Sequence, residues 1–155
     1  QVGVPALVVV DSGHAAGKRM RDYGGFGDPR APQNALLVEC GQHWQRSSID
    51  VAIETTLRFL LATGTIDRDD AAPHLRPVPS PQRIVEVTQA VTVATPSFTF
   101  VEDYNGLEVI PKAGSVIARD GVLDVRTPYD DCVLIMPSKR LAPGQTAVRL
   151  GRFIG

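Results

Sequence analysis

Four closely spaced prolines, Pro73, Pro77, Pro79 and Pro81, limit this chain's fold more than any other feature. Each fixes φ and lacks a backbone N–H, so neither a regular helix nor a central strand is expected to run through them. Residues from Ile66 to Gln82 read as a linker, with a boundary near residue 80. The hydrophobic pattern on its two sides differs in period, which makes residues 1–80 and 81–155 two separate folding problems. The expected fold class is α/β followed by all-β.

Ahead of the prolines, Ala6 to Val10 is a continuous apolar run, as in a strand covered on both faces. It ends at Asp11-Ser12-Gly13-His14, and a basic, glycine-rich loop follows from Gly17 to Arg30. A loop of that length in a compact domain tends to be functional. Asn34-Ala35-Leu36-Leu37-Val38-Glu39-Cys40-Gly41-Gln42-His43-Trp44 then reads as a short buried strand that stops at a carboxylate and turns at Gly41. Ser47-Ser48-Ile49-Asp50 fits a helix-capping pattern. Ile49, Ile53, Leu57, Leu60 and Leu61 follow at helical spacing, with Asp50, Glu54 and Arg58 on another face. Gly64 suits the position just past the helix end. Strand, carboxylate, turn and amphipathic helix make half of a βαβ-type unit.

Beyond the prolines, Arg83 to Val93 alternates with period two. Shorter runs follow at Ser97–Val101, Leu107–Ile110, Ser115–Ala118, Val122–Val125, Cys132–Met136 and Thr146–Leu150. Asn105-Gly106, Asp120-Gly121 and Pro143-Gly144 punctuate them. The expectation is a small β-barrel or folded-over sandwich. Twelve prolines and 14 glycines agree with many turns rather than a helical bundle.

Charge narrows the partners. Sixteen Lys+Arg against 17 Asp+Glu give a net charge of −1, which offers no bulk attraction to nucleic acid or to an anionic membrane. No apolar run approaches the ~20 residues of a membrane span, and no signal peptide is visible. Two cysteines, Cys40 and Cys132, make no disulfide framework, and reduced thiols fit a cytoplasmic protein. The chain opens at Gln1 almost directly into a buried-type strand, as the interior of a longer polypeptide would, or as a processed or engineered N-terminus would.

Glu39 is the first candidate for chemistry. A charge at the end of a buried strand is costly unless it is solvated, paired or used, and strand carboxyl ends are where ligands gather in α/β sheets. It reads either as a general base or as the partner of an arginine in the preceding loop. Glu39 and His43 share a metal-type i, i+4 spacing, but Gly41 argues against the helix which that spacing needs. Asp11 and His14 form a second polar pair, read as a cap or turn. Lys18, Arg19, Arg21 and Arg30, with Tyr23, form a basic loop suited to an anionic small-molecule group. No phosphate-loop pattern is present, and neither Ser12 nor Cys40 sits in a nucleophile motif.

The run Asn34–Gln42, the amphipathic helix after it and the β module beyond resemble the succinylglutamate desuccinylase/aspartoacylase family. That resemblance implies the C-terminal portion of a zinc-carboxypeptidase-like α/β sheet joined to a small β domain. It implies hydrolysis of the amide bond of an N-acyl amino acid by a zinc-activated water, with Glu39 as general base. It also implies substrate-binding roles for Arg19, Arg21 or Arg30, and for Tyr129 from the β module. The family's zinc ligands include an N-terminal His-x-x-Glu, which this chain lacks. No bound metal is therefore expected from these residues alone, and a missing N-terminal segment is expected to supply the site. The competing expectation is a non-catalytic module whose basic loop holds an anion while its β domain packs on a partner or a second copy.

Overall fold

The computed structural model describes residues 2–12, 19–28, 30–77 and 81–155. His14 and Lys18 lie outside the described residues. The chain is mixed α/β, with far more strand than helix. It divides into two compact units, Gln1–Val8 with His14–Gln82, and Val9–Gly13 with Arg83–Gly155.

In the first unit the main element is helix α1, Arg46–Ala62. Gln45, not a serine, is its N-cap, and it makes no side-chain capping bond. Ser48 lies inside the first turn and donates its hydroxyl to the Gln42 carbonyl at 2.7 Å, so the expected capping box is replaced by a bond back to the preceding turn. The C-terminus follows the sequence closely. Gly64 has φ +67°, its N–H donates to the Leu61 carbonyl, and the Thr65 N–H reaches the Leu60 carbonyl at 2.8 Å. This is a Schellman closure, which needs a left-handed residue just past the helix.

The supposed linker is partly structured. A short helix α2, Arg68–Ala71, runs into a 3-10 turn, Ala72–His74, with Pro73 in its first positions. Proline tolerates a helical start because its missing N–H is unused there. Arg76 pairs with Asp50 at 2.9 Å, and Arg58 bonds both Glu54 and the Arg76 carbonyl. The segment before the last prolines is thus laid along the charged side of α1.

Two expectations for this unit are corrected. Residues 33–42 carry no strand, and Leu36 and Leu37 are exposed. A strand exists only with a ladder partner, and among the described residues none flanks this run. The apolar stripe of α1 is also not the buried one, since Ile49 is 59% exposed. The buried position is Thr55, at 2% exposed, and its hydroxyl has no hydrogen-bond partner among the described residues. An unsatisfied buried hydroxyl costs about 1–3 kcal/mol, and valine has nearly the same shape and helix propensity. Thr55→Val is therefore expected to stabilise the chain by about 1 kcal/mol, read as a rise in the urea midpoint. A midpoint that falls would mean the hydroxyl is satisfied.

The second unit is built from β2 (Arg83–Thr92), β3 (Phe98–Phe100), β4 (Val109–Ile110), β5 (Val116–Asp120), β6 (Leu123–Arg126), β7 (Cys132–Ile135) and β8 (Thr146–Ile154). With β1 (Leu7–Val10) they form a five-stranded sheet, ordered β1-β2-β8-β7-β4, and a three-stranded sheet, ordered β3-β5-β6. There is no closed barrel, which corrects that half of the expectation. β1 takes an edge position, so Val8, Val9 and Val10 are exposed rather than covered on both faces.

Antiparallel pairing sets the faces. Leu134 lies opposite Leu150, and Val91 opposite Val148. All four point into one apolar cluster with Phe98, Ile117 and Ala118 of the smaller sheet. The β5–β6 hairpin closes through Gly121 and Val122, with φ +63° at Gly121, as a two-residue turn with glycine first requires.

Asp120 ends β5 rather than entering that turn. Its buried carboxylate accepts the Thr95 hydroxyl at 2.6 Å and the backbone N–H groups of Ala94 and Thr95. The Thr95 hydroxyl first, then the Ala94 N–H, hold its carboxyl below the ordinary 3.8. A depressed folded value stabilises above the unfolded pKa, and that contribution is lost as pH falls through the folded value. Asp120→Asn is expected to lower the melting temperature at pH 7 and to flatten the decline of stability below about pH 4. An unchanged acid limb would contradict the role of this carboxylate.

Candidate functional site

The basic loop folds as two 3-10 turns, Met20–Asp22 and Gly24–Gly27. Its own aspartates decide which arginines are available. Arg19 donates through Nε and Nη2 to the two Asp22 carboxylate oxygens, at 2.9 and 3.3 Å, and its backbone N–H adds a third bond. These bonds hold the Asp22 carboxyl below its usual range. Arg30 is similarly turned onto Asp28 by its backbone N–H and its Nε, and the Asp28 carboxyl is likewise lowered. Both arginines serve the turn that carries them.

Arg21 stands apart. It makes no ion pair or hydrogen bond with a described residue, and its charge reaches Asp22 only at a distance. It lines an open cleft of about 480 Å³ with Asp22, Phe26, Gly27 and Ala35. Phe26 and Ala35 were not singled out in the sequence. The available signal was an aromatic between glycines in Gly24-Gly25-Phe26-Gly27, where small neighbours leave the ring accessible.

Glu39 is exposed, makes no ion pair or hydrogen bond with a described residue, and does not line the cleft. Ala35, four residues earlier, does. The tie between Glu39 and a loop arginine is therefore not formed. His43 is exposed as well. Asp11 pairs with Arg149 at 3.0 Å within the second unit, and both side chains are largely buried. The sequence offered no hint of that partner, 138 residues away in the chain (149 − 11).

Tyr129 belongs to the second unit and packs against its core. Its hydroxyl lies 2.6 Å from Thr88 Oγ1, and Thr88 donates to the Leu150 carbonyl. Either hydroxyl can be the donor in their mutual bond, and the phenol also hydrogen-bonds the Cys132 thiol. Burial raises the Tyr129 phenol and, beside it, the Cys132 thiol. A fully buried thiol kept protonated is a packing residue, not a nucleophile.

No family model matches this chain, and no curated protein matches it. The succinylglutamate desuccinylase structure from Vibrio parahaemolyticus is similar, with a TM-score of 0.51 and 17% identity over 69% of this chain and 30% of that one. The chain shares its fold with part of a succinylglutamate desuccinylase. A second desuccinylase structure, from Vibrio cholerae, aligns with a TM-score of 0.47 and 20% identity, covering 64% of this chain and 29% of its own. This chain thus spans about 30% of the desuccinylases' length. The resemblance to the desuccinylase family holds at the level of the fold. The zinc it implies is not fitted by the described residues, which bring no three of His, Cys, Asp and Glu together. Among them, too, no helix is long and apolar enough to cross a membrane.

Proposed function

We propose that this chain is the C-terminal portion of a desuccinylase-like deacylase that cleaves the amide bond of an N-acyl amino acid. Its α/β part is read as a piece of a zinc-carboxypeptidase-like sheet, completed by an N-terminal segment. Within it, Glu39 is the general base and Arg21 binds the substrate carboxylate. The observation that carries this reading is that Glu39 and Arg21, alone of the implied acid and arginines, are left without a described partner. An unpaired carboxylate has its oxygens available to take a proton from water and pass it to the leaving amine. An unpaired guanidinium keeps its fork of donors for a ligand carboxylate. Arg19, Arg30 and Tyr129 are read as positioning residues that hold the loop and the β unit.

A second reading, a non-catalytic binding or assembly module, is favoured by that same lack of a three-ligand grouping among the described residues. The test is release of free amine from N-acyl amino acids by the polypeptide its natural gene encodes. Turnover supports the deacylase. Binding through Arg21 without turnover supports the module.

A further inference from the structure

Charge bookkeeping around the cleft says what kind of ligand it takes. Among the described residues its lining holds one available cation, Arg21, and one anion, Asp22, already matched by Arg19. Arg30 is matched by Asp28. The remaining lining is the Phe26 ring, the Ala35 methyl and Gly27, which adds no side chain. A first carboxylate has a guanidinium to meet. A second would find no further cationic side chain among the described lining residues and would face the Asp22 carboxylate, and an unpaired charge in a partly desolvated site is costly. An apolar group would instead cover the exposed face of Phe26.

We infer that this cleft takes a ligand with one carboxylate and an apolar body, namely an N-acyl derivative of a neutral amino acid rather than of aspartate or glutamate. The inference rests on the reading of Arg21 as the carboxylate-binding residue and names the substrate class of that same site. Calorimetric titration of the natural polypeptide tests it, with N-acetylphenylalanine and N-acetylaspartate as probes. The wild type is compared with Arg21→Gln and Arg19→Gln, and each variant's melting curve checks its fold.

N-acetylphenylalanine is expected to bind at least about tenfold more tightly than N-acetylaspartate, and Arg21→Gln to weaken it about 10- to 100-fold. Arg19→Gln is expected to weaken it less, because that arginine acts on Asp22 and not on the ligand. If N-acetylaspartate binds as tightly or more tightly, and Arg21→Gln abolishes it, the monocarboxylate inference fails while the Arg21 cleft stands. If neither probe binds, or Arg21→Gln changes nothing, the cleft reading fails with it.

Discussion

If the proposed deacylase reading holds, replacing Glu39 with glutamine is expected to lower kcat by about two to four orders of magnitude, with little change in KM. The amide keeps the shape of the carboxylate but cannot accept a proton from water near neutral pH. Stability should stay within about 0.5 kcal/mol of the parent, since Glu39 is exposed and no described ion pair is broken. Lost turnover with unchanged stability separates a chemical role from a structural one. A kcat within twofold of the parent would sink the assignment. Both quantities are to be measured on the polypeptide that shows amine release, by steady-state assay and urea titration.

Gly151→Val is the largest structural effect expected. Gly151 lies opposite Val87 and Val133 at the centre of the five-stranded sheet. A Cβ there would sit 2.7 Å from Ile135 Cδ1, 2.7 Å from Val85 Cγ1 and 2.9 Å from the Glu86 carbonyl oxygen. The first two side chains are themselves buried, and the third atom is ladder backbone, so none of the three yields cheaply. Overpacking of this kind costs about 1–3 kcal/mol for an added methyl, and valine's branches add to that. Alanine recovers up to about 1 kcal/mol by restricting the unfolded chain, so it should be milder. Valine is expected to lower the unfolding free energy by about 3 kcal/mol or more. A loss below about 1 kcal/mol would mean that Ile135, Val85 and the Glu86 carbonyl stand farther from Gly151 than these distances.

The strands after the prolines were legible because alternation of apolar and polar residues is a local property. Val85 and Val87 share one face whatever they pair with, and the same period places Leu134 and Leu150 on the other. Gly64 was legible for a similar reason, since a left-handed residue is demanded by the helix end itself. Elements that depend on a neighbour were not. Ala35–Val38 has strand composition but no described ladder partner. Val8–Val10 looks doubly covered yet takes a sheet edge. The first half of the apolar stripe of α1, Ile49 and Ile53, is exposed while Leu57, Leu60 and Leu61 are half-buried, and residues around Arg76 lie along the charged side.

The site was legible in part. Composition pointed to a basic loop beside Glu39 but not to which of its arginines is left without a partner among the described residues. That choice turns on two short-range pairings, Arg19 with Asp22 and Arg30 with Asp28, whose geometry depends on the 3-10 turns. Tyr129 was visible as a tyrosine in a turn-rich stretch. Its bond to Thr88 was not, because Thr88 sits at an irregularity in the pairing of β2 with β8, where alternation fails to say which way a side chain points.

The most direct test is a crystal structure of the natural polypeptide with a phosphonate analogue of an N-acyl neutral amino acid, its phosphonyl oxygen standing in for the attacking water. The account predicts a Glu39 carboxylate oxygen within about 2.6–3.2 Å of that oxygen, with the Arg21 guanidinium on the analogue's carboxylate. An analogue bound with Glu39 turned to bulk solvent, and another acid at the phosphonyl group, would contradict it.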